Sequence, residues 1–190
     1  MAPPDRYPVP AERVRAELVI ERSRFICTMG RAETSEAAHA FVKEVQGEFA
    51  DATHNCWAFV AGAPGSTARI GMSDDGEPHG TAGRPMLTVL MHSGVGEVVA
   101  VVTRYYGGTK LGTGGLVRAY SAAVQEALGR LVRRERVETV DARIRVDYAA
   151  FTSVRKLLPS HEGEVLDERF GEAVDLEVRV PAANVEALRV

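Results

Sequence analysis

Val98-Val99-Ala100-Val101-Val102-Thr103-Arg104-Tyr105-Tyr106-Gly107-Gly108-Thr109-Lys110-Leu111-Gly112-Thr113-Gly114-Gly115-Leu116-Val117-Arg118 decides how this chain is read. Its first five residues are apolar on successive positions, the pattern of a central strand covered on both faces. A glycine-rich stretch follows. Leu116, Tyr120, Ala123, Val124, Ala127, Leu128 and Leu131 then recur at helical spacing on one face. The unit is a strand, a glycine-rich loop and a helix.

The loop invites comparison with phosphate-binding loops, whose backbone N–H groups converge on an anion at a helix N-terminus. Leu111 stands after Lys110 where a nucleoside-triphosphate loop needs Ser or Thr, and Val117 occupies the place of the third glycine of a dinucleotide fingerprint. What remains is a donor-rich loop bearing a cation. Residues 98–125 contain Arg104, Lys110 and Arg118 and no acid, so an anion site belongs there. Arg118 falls in the first turn of its helix, where the macrodipole disfavours a cation by about 0.3–1 kcal/mol. A bound phosphate would offset that cost, and so would Asp74 or Asp75. The structural alternative is that the glycines only let the chain turn and pack.

Upstream, residues 18–29 read as one or two strands. Thr34 or Ser35 caps a helix with Ala38, Phe41, Val42, Val45 and Phe49 on one face. Thr53–Val60 reads as a strand and Ala68–Ser73 as another. Asp74-Asp75-Gly76-Glu77-Pro78 is turn chemistry, and Met86, Leu87, Leu90 and Met91 mark a helix stopped by Gly94. Asp74, Asp75, Glu77 and His79 offer metal-ligand atoms but match no calcium loop, so they are read as a turn whose carboxylates bond backbone N–H groups or Arg. His54 and Cys56 share a strand face without a second ligand pair and are read as structural. No metal site is expected.

Downstream of residue 138 the period changes to two. Val140, Ala142, Ile144 and Val146 alternate with charged residues, as do Val174, Leu176, Val178 and Val180. Phe151, Val154, Leu157 and Leu158 give a helix between them, Val165–Phe170 a further strand, and residues 185–190 a last helix. The order β-α-β-β suggests a split, ferredoxin-like unit lacking its last strand. The expected domains are a flexible Pro-rich tail over residues 1–16, an N-terminal domain over 17–137, and the incomplete ferredoxin-like domain over 138–190.

Composition excludes several classes of function. The 190 residues are 45% hydrophobic and 26% charged, with a net charge of −3. Val98–Val102 is the longest aliphatic run, far short of the roughly 20 residues of a membrane span. The first ten residues hold no apolar signal region, and two cysteines make no disulfide scaffold. A cytoplasmic protein without a membrane role is expected.

Three blocks carry a family resemblance: Ala52-Thr53-His54-Asn55-Cys56-Trp57-Ala58, then Ser73-Asp74-Asp75-Gly76-Glu77-Pro78-His79-Gly80-Thr81-Ala82-Gly83-Arg84-Pro85, then Val102–Tyr120. In this order they resemble the YigZ/IMPACT family, with Tyr106 where the family usually has Phe. The resemblance implies an α+β chain. Its first domain would be an α/β domain like the second domain of ribosomal protein S5, and its second would be ferredoxin-like, similar to domain V of elongation factor G. Both analogies point to RNA or ribosome contact. Eukaryotic relatives regulate translation under amino-acid starvation through an initiation-factor kinase pathway, but they carry an additional N-terminal RWD domain, so that role is not carried over.

Three functions follow as expectations. The first is a translation-associated regulatory module that binds RNA or the ribosome, with Arg84, Arg104, Lys110 and Arg118 on phosphates, Gly112, Thr113, Gly114 and Gly115 as the loop, and Tyr105 for stacking. Asp74, Asp75 and Glu77 would line the same site. The second is an enzyme acting on a small phosphorylated or carboxylated ligand, although no nucleophile stands out and no cofactor is implied. The third is an adaptor that binds a protein partner through the C-terminal sheet.

Overall fold

The computed structural model describes residues 6–186, which form two compact units divided between Arg136 and Val137. The chain is α+β. Its first unit runs β1 (Arg6–Pro10), β2 (Val14–Ile20), β3 (Ser23–Arg31), α1 (Ser35–Glu48), β4 (His54–Val60), β5 (Ile70–Ser73), α2 (Gly83–His92), β6 (Val98–Tyr105), α3 (Gly112–Arg130) and β7 (Arg133–Val137). Five strands make one antiparallel sheet in the order β2-β3-β6-β4-β5.

Strand β6 occupies the centre, and every residue from Val98 to Arg104 is buried. Its parity explains the uninterrupted apolar run. Val98, Ala100 and Val102 face the core shared with α2 and α3, where Phe25, Met86, Leu116 and Tyr120 pack. Val99 and Val101 face the other core, against Ala38, Val42 and Val45 of α1. A strand covered on both faces loses the alternation of a half-exposed one. Thr34 caps α1, accepting from the Ala37 N–H at 3.1 Å.

The Pro-rich start corrects the expectation of a flexible tail over residues 1–16. Residues 6–10 form β1 and pair with β7 in a two-stranded sheet, and β2 begins at Val14. Proline lacks a backbone donor but is tolerated on such an edge strand. Tyr7 and Val9 alternate inward and are buried. Residues 1–5 of the expected tail lie outside the described residues.

A buried carboxylate secures this corner. Glu97, in the left-handed region at φ 49°, accepts from the Tyr7 hydroxyl at 3.0 Å, Arg31 Nη2 at 2.7 Å and Arg136 Nε at 3.0 Å.

The second unit holds β8 (Thr139–Val146), α4 (Tyr148–Leu157), a 3-10 turn over Leu158–His161, β9 (Glu164–Phe170) and β10 (Val174–Pro181). Its sheet order is β8-β10-β9, antiparallel throughout. Val174, Leu176, Val178 and Val180 form the buried row predicted by the period of two, with Leu158, Phe151 and Val154 against it. Three strands in the β-α-β-β order of a ferredoxin-like unit are present among the described residues. Ala182–Asn184 is a 3-10 turn, and the helix expected over residues 185–190 lies mostly outside the described residues. Among the described residues, no helix is long and apolar enough to cross a membrane.

Candidate functional site

Three sequence blocks meet at one end of the first unit. His54 and Cys56 stand on β4 in register with Arg104 and Val102 of β6, so the side chains of 54, 56 and 104 share a sheet face. The turn between β5 and α2 lies over that face and the N-terminus of α3 beside it. Between them is a cavity of about 460 Å3, lined by Glu77, Pro78, Arg104 and Tyr106 together with Lys110, Leu111, Gly112, Thr113 and Leu116 of the loop and α3.

A buried ion pair forms its floor. Arg104 Nη1 lies 2.6 Å from Glu77 Oε1, and the two side chains are only 6% and 3% exposed. The Tyr120 hydroxyl donates to the same Oε1 at 2.8 Å. Arg104 Nη2 reaches Ser23 Oγ at 3.4 Å, while its Nε is buried without a hydrogen-bond partner among the described residues. Glu77 Oε2 makes no hydrogen bond among them either; His54 Nε2 stands 4.0 Å away. The other His54 nitrogen, Nδ1, is 2.7 Å from the Asp75 carbonyl and donates to it, since a carbonyl only accepts.

The aspartates of the turn serve its own backbone. Asp74 accepts from the N–H groups of Gly80 at 2.7 Å, Ala82 at 3.0 Å and Gly83 at 2.8 Å. It thereby caps α2, whose own N-cap residue, Ala82, has no side chain able to do so. Asp75 Oδ2 accepts from the Asn55 N–H at 2.6 Å. Gly83 is required by this packing, because a Cβ there would lie 2.9 Å from the Ser73 backbone. Burial alone would raise the Asp74 carboxyl, but the three N–H donors outweigh it and hold it below its ordinary value of 3.8.

A carboxyl depressed by folding contributes stability that is present above its unfolded pKa and lost as pH falls through the folded one. Asp74→Asn is therefore expected to cost about 1–2 kcal/mol at pH 7, the value of a lost cap. The deficit begins to shrink below about pH 3.8, where the carboxyl of the unfolded chain takes up its proton, and vanishes as pH falls through the lower pKa of the folded one. Urea unfolding of both proteins at pH 7 and pH 3 measures this; a deficit that does not change with pH would contradict it.

The N-terminus of α3 is built the opposite way. Leu111 at the N-cap position offers no side-chain acceptor, and the first turn holds no acid. Lys110 and Arg118 are exposed and form no ion pair among the described residues. Helical side chains lean towards the N-terminus, and Arg118 does so: a Cβ on Gly114 would lie 3.5 Å from its Nη1. Arg118 is not neutralised by Asp74 or Asp75, which are engaged with backbone. It lines an adjacent hollow of about 410 Å3 that shares Lys110 and Leu111 with the first.

Several sequence-based assignments change. Arg104, expected on phosphates, is a buried partner of Glu77 at the cavity. Tyr105, expected to stack, points to the opposite sheet face because neighbours on a strand alternate. Its hydroxyl donates to Asp51 at 2.8 Å and Arg24 lies over its ring. Tyr106, past the strand end, is the aromatic at the cavity, with Arg104 Cζ 5.5 Å from its ring centroid. Asp74 and Asp75 support the turn without lining the cavity, and exposed Arg84 lies outside it too. Gly112 and Thr113 line the cavity, Gly115 lines the adjacent hollow, and Gly114 lies under Arg118.

Pro78, Leu111, Leu116 and Tyr120 belong to the site but carry no chemical signature in sequence. Cys56 donates to the Asp74 carbonyl at 2.9 Å, and burial pushes its thiol up. Burial likewise raises Cys27, to about 12. Neither is a poised nucleophile. Among the described residues, no three His, Cys, Asp or Glu side chains are grouped to hold a metal ion.

Comparison with known proteins matches residues 21–128 to the Impact N-terminal domain. The chain belongs to the IMPACT family. Residues 144–189 match a domain of unknown function, DUF1949, so the two matches fall on the two units of this IMPACT-family chain. It is 45% identical over 177 residues to IMPACT family member YigZ of Escherichia coli (strain K12), covering 93% of this chain and 87% of that protein. It is 38% identical over 171 residues to IMPACT family member YvyE of Bacillus subtilis (strain 168), covering 90% and 78%. A solved structure described as that of a hypothetical protein superposes with a TM-score of 0.73 at 42% identity, covering 99% of this chain and 90% of the other.

Proposed function

We propose that this IMPACT-family chain is a translation-associated regulatory protein of the cytoplasm that binds RNA or the ribosome through the surface around Lys110, Gly112–Gly115 and Arg118. One observation carries the reading: of the two helix N-termini at this end of the unit, α2 is capped by Asp74 and α3 is open, with two unpaired cations beside it. An open N-terminus presents N–H donors and partial positive charge to an anion. A net charge of −3 means that such binding is local and salt-sensitive.

The Lys110→Glu/Arg118→Glu protein tests this by co-sedimentation with ribosomes. The wild type is expected to sediment with them near 50 mM salt and to be released near about 200 mM. The double variant is expected to stay in the supernatant at both, with an unchanged melting temperature because both side chains are exposed. Equal co-sedimentation of a folded variant would overturn the proposal. An enzyme acting on a small anionic ligand is the second reading, favoured by a buried carboxylate, Glu77, that reaches a cavity of ligand size.

A further inference from the structure

We propose that the 460 Å3 cavity takes a single unstacked nucleotide of a single-stranded RNA, with its base on Tyr106 and a base N–H donating to Glu77 Oε2. The inference rests on the RNA-binding reading and names what its central site recognises. The volume lies within the range of about 300–1,000 Å3 usual for small-molecule sites. The walls are apolar where a base would lie, at Pro78, Leu111 and Leu116. Tyr106 is 46% exposed, and Arg104 holds one face of its ring, which leaves the other face for stacking.

The floor supplies the polar contact. Glu77 Oε1 already accepts two hydrogen bonds, from Arg104 and Tyr120, while Oε2 has none among the described residues. Glu77 lines the cavity, so this oxygen is open to it, and a nucleobase N–H can take the place of water there. The phosphate of the same nucleotide then falls to the open N-terminus of α3 and to Lys110, which line the same cavity. Single-stranded RNA is recognised in this way, by splayed bases stacked on aromatics and bonded along their edges. A base held in a duplex cannot enter the cavity.

Fluorescence polarisation of fluorescein-labelled ten-nucleotide RNAs, single-stranded and duplex, tests the proposal with the full chain and the variants Tyr106→Ala, Tyr106→Phe and Lys110→Glu. The single strand is expected to bind at least tenfold more tightly than the duplex. Tyr106→Ala is expected to weaken it between five- and a hundredfold without changing its salt dependence, and Tyr106→Phe to remain within threefold of wild type. Lys110→Glu should flatten the slope of log affinity against log salt by about 0.7. Unchanged binding by Tyr106→Ala, or equal affinity for duplex and single strand, overturns the nucleotide site; if Lys110→Glu still weakens binding, the RNA surface stands without it. Binding indifferent to both variants, or no binding, overturns both.

Discussion

Replacing Glu77 by Ala lowers the stability of the N-terminal unit by about 3–5 kcal/mol at neutral pH, the cost of leaving one member of a buried ion pair alone. The guanidinium of Arg104 cannot lose its proton in compensation. Its remaining bond, to Ser23 at 3.4 Å, is long, and Tyr120 loses its acceptor in the same step. The midpoint of urea unfolding reads the effect. A double replacement, Glu77→Leu with Arg104→Met, is expected to recover most of the loss, since well-packed apolar residues often substitute for a buried pair without penalty. A loss below about 1 kcal/mol in Glu77→Ala would show that water reaches Arg104 freely.

Glu97→Ala is the second large effect, expected near 3 kcal/mol. One carboxylate there receives Tyr7, Arg31 and Arg136, and so joins β1, β3 and the end of β7. Arg31 and Arg136 are 25% and 32% exposed, which places the cost at the lower end of the range for buried pairs. Glu97→Gln keeps an acceptor for Tyr7 and is expected to lose about half as much. Hydrogen exchange locates the damage: the amides of β1 and β7 should exchange faster in Glu97→Ala while those of β6 keep their protection. Uniform acceleration, or none, would contradict a local role.

The reach of the sequence can be judged residue by residue. The unbroken apolar run of β6, the alternation in β8 and β10 and the glycine-rich start of α3 each follow from one local period or one turn residue, and the elements formed there. The site was partly legible because two short blocks hold most of it. Its errors have a common cause. Arg104 and Tyr105 are neighbours in sequence, and only the strand's parity, fixed by which face α1 covers, sends one to Glu77 and the other to Asp51. Glu77 reads as a turn residue until Arg104 and Tyr120, 27 and 43 positions away, bury it. Tyr7 and Val9 alternate like a strand, yet β1 exists only because β7, more than 120 residues later, supplies an edge.

The position of β6 also dictates the order in which the chain can assemble during synthesis. The β2–β3 hairpin and the β4–β5 hairpin share no ladder; each pairs with β6. Until residue 105 has left the ribosome, the two halves are separate ribbons with unpaired edges, and two-stranded ribbons are marginal in water. Arrival of one segment closes the sheet, completes the core against α1 and delivers Arg104 to Glu77, while the other core waits for α3. A nascent chain halted before Val98 is therefore a client for chaperones, and one halted after Arg130 holds every strand and helix of both hydrophobic cores.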